Sequence, residues 1–99
     1  MTAVVTRYAD RYELVVDGEP VGAAYVEQHG DTVVLTHTEI DEDREGHGLG
    51  SQLAREALDD VRARGQHLVP RCPFIRAFIE RHPEYDDLVV GHPHPSPQD

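Results

Sequence analysis

The segment Gly46-His47-Gly48-Leu49-Gly50-Ser51 and the lone cysteine, Cys72, are where residue type and spacing bear most directly on chemistry. Glycines let a backbone approach a ligand closely. A helix beginning just behind them aims unpaired N–H groups and a partial positive charge at the same point. A phosphate or pyrophosphate suits such a loop; a flexible turn ahead of a well-capped helix is the other reading of the same residues. The loop has no Gly-Lys-Ser/Thr ending, which excludes a Walker A loop. A dinucleotide fold needs a six-residue glycine fingerprint within parallel βαβ units, and meander strands precede this loop instead. Arg44, Arg71 and Arg76 are the cations available to compensate a phosphate.

Cys72 precedes Pro73, which places it at or beside the N-cap of a helix. Helix N-termini stabilise thiolates, and Arg71 next door acts in the same sense. Such a cysteine can serve as a nucleophile or as a proton donor to a departing thiolate. It can equally be a small buried hydrophobe. His37 stands on a β-branched run beside Val33, Leu35 and Thr36. There it is either a base for an incoming ammonium or for Cys72, or a strand-edge histidine bonded to backbone. His47 sits within the glycine loop, either touching a phosphate or facing solvent. Tyr25 and Tyr85 read as packing residues with wet hydroxyls. Neither Cys-x-x-Cys nor His-Glu-x-x-His spacing occurs, so no metal site is expected despite the 7 histidines.

These residues need elements to hold them. Tyr12, Leu14 and Val16 alternate with Arg11, Glu13 and Val15, and Asp17-Gly18 marks a turn. Val21 to Val26 and Thr32 to Ile40 are two further strands, separated by His29-Gly30-Asp31, and a shorter strand from Val4 to Tyr8 precedes the three. After the charged loop Asp41 to Glu45, Leu49, Leu53, Ala54, Ala57, Leu58 and Val61 form one apolar helical stripe. Arg62 and Arg64 suit its C-terminus and Gly65 its cap. His67 to Pro70 reads as a strand returning beside the sheet. Pro73 opens a second helix that pairs Phe74 with Phe78 and Ile75 with Ile79 and stops near His82-Pro83. Glu84 to Val89 adds a turn in which Tyr85, Leu88 and Val89 cover the core. Residues 91–99 hold no core residues and read as a flexible tail rich in proline and histidine.

The 99 residues fit one domain over residues 1–90, since domains run to roughly 100–150 residues. The 9 basic side chains, all arginine, face 19 acidic ones for a net charge of −10. That balance disfavours nucleic acid and anionic membranes and favours cationic partners such as amines or basic peptides. No apolar run is long enough to span a bilayer, and no basic, apolar leader opens the chain, so a cytoplasmic setting is expected. A monomer or a homodimer is compatible with the sequence.

Three segments together carry a resemblance. Glu45-Gly46-His47-Gly48-Leu49-Gly50-Ser51 is followed by the helix and Val69-Pro70-Arg71-Cys72-Pro73-Phe74-Ile75, and then by His82-Pro83-Glu84-Tyr85-Asp86-Asp87-Leu88-Val89. With Leu35-Thr36-His37-Thr38 ahead of the loop, this resembles the small Yjdj-type branch of the GNAT (N-acetyltransferase-like) superfamily over roughly residues 10 to 90. The resemblance implies an α/β (α+β) GNAT-like fold: an antiparallel β-meander, the glycine-loop helix, a returning strand and a second helix. It implies acetyl-coenzyme A as acetyl donor, its pyrophosphate on residues 46 to 51 with Arg44, Glu45 and Arg76 close by. It also implies that His37 and Cys72 face the acetyl group. The superfamily's loop usually opens with Gln or Arg where this chain has Glu45, and the chain lacks the further strands that help build the acceptor pocket in larger members. The function implied is an acetyl-coenzyme A-dependent N-acetyltransferase with a cationic amine acceptor; the alternative is a coenzyme A-binding sensor or adaptor without catalysis.

Overall fold

Strand alternation builds the sheet. In the computed structural model, which describes residues 2–44 and 46–91, five strands lie in the order β1-β2-β3-β4-β5. They are β1 (Ala3–Arg7), β2 (Arg11–Val16), β3 (Glu19–His29), β4 (Thr32–Ile40) and β5 (His67–Pro70). The first four form an antiparallel meander, and β5 joins β4 in parallel. A parallel neighbour cannot be reached by a hairpin and needs a crossover. Here that crossover is a short 3-10 turn (Glu42–Arg44), the glycine loop and helix α1 (Leu49–Ala63). Helix α2 (Pro73–Arg81) and a 3-10 turn (Pro83–Leu88) follow β5. β3 runs longer than the sequence suggests, and its polar end Glu27-Gln28-His29 pairs with Thr32 to Val34.

Both helices pack on one face of the sheet. Tyr12, Leu14 and Val16 of β2 are buried there, against the stripe Leu49, Leu53, Ala54, Ala57, Leu58 and Val61 of α1. Ile75, Phe78 and Ile79 of α2 and Tyr85 and Leu88 of the last turn complete the same core. Truncating one of its fully buried leucines, such as Leu53 or Leu58, would cost about 2–5 kcal/mol. Val89 makes a parallel bridge to Leu68, so the chain after α2 covers the free edge of β5. No helix among the described residues is long and apolar enough to cross a membrane. The tail expected to be flexible lies, from His92 onward, outside the described residues, as does Glu45.

One irregularity governs where the strand side chains point. Tyr25 pairs with His37 and Val26 with Leu35, so Thr36 is an extra residue on β4 and the register shifts there. A bulge of this kind reverses which residues face the core beyond it. Val33 and Leu35 face the helices before the bulge; after it, Thr38 and Ile40 do. The pairing of β4 with β5 also ends at this point, at Leu35 and Pro70. Leu35 O then accepts the N–H groups of both Arg71, at 3.0 Å, and Cys72, at 3.1 Å. Pro70 has no N–H to continue the ladder, and the two strands part.

Candidate functional site

A cavity of about 440 Å³ lies beside the part of β4 beyond its pairing with β5. Thr38 and Ile40 of β4 form one wall and Phe74 of α2 another. The third wall is Arg44 with the loop and first turn of α1, namely Gly46, Gly48, Leu49, Gly50 and Ser51.

The glycines serve two different purposes. Gly46 and Gly48 have φ of 88° and 75°, left-handed conformations that cost a residue with Cβ about 1–2 kcal/mol. Gly50 is helical, and a Cβ there would stand 2.9 Å from Phe74 Cζ, so its role is to let the first turns of α1 and α2 meet. Gly48 is the N-cap of α1 and supplies no side-chain hydrogen bond. The first turn of α1 carries no acidic residue. Among the described residues its N–H groups therefore have no side-chain acceptor, and the turn itself holds no competing carboxylate, which is the donor set an anion needs. The residues present fit a phosphate group on this observation.

Arg44 lines the cavity while its Nη2 donates to Glu19 Oε1 at 2.8 Å, so a cation stands ready at the mouth. Arg76 is used elsewhere: its Nη1 donates to Arg71 O at 2.9 Å and Pro70 O at 3.4 Å, bracing the turn that ends β5. His47 is exposed and is not part of the cavity wall. Cys72 is the N-cap of α2, with extended φ and ψ of −75° and 125°, and Pro73 occupies the first turn. Its side chain is 3% exposed and does not line the cavity; Sγ–H donates to Thr38 Oγ1 at 3.3 Å.

His37 is not brought to the cavity. It lies one residue from Thr38 on a strand, hence on the opposite face of the sheet, with its side chain 60% exposed. There its Nε2 pairs with Glu39 Oε2 at 2.9 Å and its ring stacks on Tyr25, the centroids 6.2 Å apart. The resemblance implied that His37 and Cys72 both face the acetyl group; the bulge at Thr36 turns Thr38 instead of His37 toward the helices. Thr38, Ile40 and Phe74 are the wall residues that sequence reasoning passed over. The Leu35-Thr36-His37-Thr38 segment contained the signal for Thr38, in register only once the bulge is known. Among the described residues no group of three or more His, Cys, Asp or Glu side chains stands close enough to hold a metal ion.

A polar seam runs along the outer side of α1, away from this cavity. Tyr12 O–H donates to Asp60 Oδ2 at 2.7 Å and accepts from Arg7 Nη1 at 2.9 Å. Burial, and then the bond to Asp60, push the Tyr12 phenol up to about 12. Tyr85 is raised in the same direction by burial and by its 2.7 Å bond to Asp59.

The model of the GCN5-related N-acetyl-transferase family matches residues 11–88. The chain belongs to that family. No curated protein sequence matches it. In fold, this GCN5-related domain is similar to a GCN5-like protein from Staphylococcus aureus solved by NMR, with a TM-score of 0.69. That likeness has 15% identity and covers 92% of this chain and 91% of the other. The domain is also similar to the ribosomal-protein-S18-alanine N-acetyltransferase from Escherichia coli, with a TM-score of 0.64 and 20% identity. This second likeness covers 78% of the present chain but 54% of the enzyme, so the chain spans about half its length.

Proposed function

We propose that this GCN5-related domain transfers an acetyl group from acetyl-coenzyme A to a cationic amine. The observation that carries the reading is the glycine-lined N-terminus of α1, without a side-chain cap, opening on the cavity bounded by β4, Arg44 and Phe74. Backbone N–H groups of Gly48 to Ser51 and the Arg44 guanidinium hold the pyrophosphate of the donor. The cavity takes its thioester arm toward Thr38 and Phe74. Coenzyme A supplies an activated acetyl thioester, and the protein holds it where an amine can reach the carbonyl. Cys72 sits behind Thr38 as the proton source for the departing sulfur. His37, on the outer face with Glu39, takes no part in this scheme, and the amine gives its proton to solvent. The motifs at Val69 to Ile75 and His82 to Val89 support a place in the small Yjdj-type branch, and the charge of −10 supports a cationic acceptor.

The distance of His37 from the cavity favours a second reading, a coenzyme A-binding module that does not turn over. Native and denaturing mass spectrometry of the protein with acetyl-coenzyme A, followed by addition of spermidine, butylamine or a basic peptide, separates the two. A complex that releases free coenzyme A only when amine is added supports transfer. A complex without amine-dependent release supports the module. No complex removes both.

A further inference from the structure

We propose that Thr38 is the group that meets the departing sulfur, and that it passes on the proton of Cys72 rather than leaving Cys72 to act directly. This rests on the acetyl-transfer reading above and assigns its proton path. Thr38 lines the cavity; Cys72, 3% exposed, does not. The two are joined by the 3.3 Å contact from Sγ–H to Thr38 Oγ1. Among the described residues this is the hydroxyl's one hydrogen-bond partner. A hydroxyl that accepts from a thiol keeps its own proton to donate, so Thr38 can bond Cys72 on one side and a cavity ligand on the other.

Both ends of this contact are fixed by the backbone. Thr38 is turned toward the helices by the bulge at Thr36, and its strand position is registered against Ala24. Cys72 is pinned by its N–H bond to Leu35 O and by its O accepting the Arg76 N–H at 3.0 Å.

The step balances as follows. The ammonium first gives one proton to water, freeing its lone pair; the C–N bond to the amine then forms and the C–S bond of the thioester breaks, the electron pair leaving with sulfur. The Thr38 O–H proton moves to that sulfur as the Cys72 S–H proton moves to Thr38 oxygen. The acylated amine releases its surplus proton to water. Water entering the emptied cavity returns one proton through Thr38 to Cys72. Donor and receiver of the relayed proton are both thiols.

The chain has 1 cysteine, so the S–H stretching band in the infrared reports Cys72 alone. Thr38→Val should move that band toward an unbonded thiol, and Thr38→Ser should leave it in place. With acetyl-coenzyme A and the fastest of the three amines above, Thr38→Val should lower kcat by about 10²-fold, the scale of a positioned general acid, at unchanged KM for the donor. Thr38→Ser should restore most of the rate, whereas Cys72→Ser should not, because a hydroxyl is a far weaker acid than a thiol. Cys72→Ala should lose the rate, and adding Cys72→Ala to Thr38→Val should lower kcat no further, because members of a relay act as a unit. A band indifferent to Thr38→Val, or wild-type kcat in Thr38→Val, overturns the proposal. If the band moves as expected while wild-type protein binds the donor but acetylates no amine, the acetyl-transfer reading fails and the relay with it. The band then shows that the thiol–hydroxyl contact was not at fault.

Discussion

The two ends of α1 are built in opposite ways. At its start, Gly48 caps the helix in a left-handed conformation without a side-chain bond, and the first turn faces a cavity. At its finish, Gln66 N–H bonds to Val61 O and Gly65 N–H to Arg62 O, both at 3.0 Å, with Gly65 left-handed at φ 68°. That is the Schellman arrangement, in which the closing carbonyls find donors within the chain itself. Side chains add to it. Arg62 bonds both carboxylate oxygens of Asp87 at 2.9 Å and Glu84 O at 2.7 Å, while Arg64 Nε reaches Asp60 at 2.7 Å. One helix thus carries a satisfied end, which anchors β2 and the last turn, and an end whose donors meet no side-chain acceptor among the described residues. Left-handed glycines occur at both, so the glycine alone does not distinguish them. What the neighbouring N–H and C=O groups bond to does.

Breaking each end should therefore have separable effects. Gly48→Ala places a Cβ at φ 75°, where about 1–2 kcal/mol of strain is relieved only if the loop moves. Affinity for coenzyme A should fall about 5- to 30-fold, as measured by titration calorimetry, with a smaller loss of stability. Tyr12→Phe removes the bonds to Asp60 and Arg7 at the seam and should cost roughly 0.5–1.5 kcal/mol in denaturant melts, leaving coenzyme A affinity intact.

The same tyrosine sets a pH dependence. Its phenol titrates near 10 when unfolded and at about 12 when folded, so the folded form holds its proton longer. The stabilisation is fully present below pH 10 and is lost as pH rises from about 10 through about 12. Tyr12→Phe should flatten that limb of the stability profile. Gly65→Ala strains the closed end and should cost about 1 kcal/mol, a fall in Tm of about 4–8 °C, again without effect on coenzyme A. Arg44→Gln should have the smallest effect. A few-fold loss of coenzyme A affinity is expected, with a shallower salt dependence, because the guanidinium is partly exposed and already shared with Glu19.

Much of this design was readable in local sequence. The six-residue stripe of α1, Gly65 as its cap, Pro73 opening α2 and His82-Pro83 closing it are signals of a turn or two, and the structure follows each of them. The glycine loop was also legible, because the residues that form the cavity wall and the helix start are contiguous. His37 and Cys72 were not. Which face of β4 carries His37 depends on the extra residue Thr36, and that is settled by pairing with β3 across a hairpin, not by the alternation of β4 itself. Similarly, the N-cap position of Cys72 was visible, whereas its burial behind Thr38 depends on two segments 34 residues apart. Arg44 and Arg76 looked alike in sequence; only the fold uses one at the cavity and the other to brace a turn.

The proposed function sets the phosphates of coenzyme A at the open end of α1. The most direct measurement is calorimetric titration of the protein with coenzyme A and, separately, with pantetheine, which carries the thiol arm without the pyrophosphate. Coenzyme A should bind at least tenfold more tightly, and Gly48→Ala should remove most of that advantage while Gly65→Ala leaves it. Equal affinity for the two ligands, or an advantage that survives Gly48→Ala undiminished, would contradict the proposal.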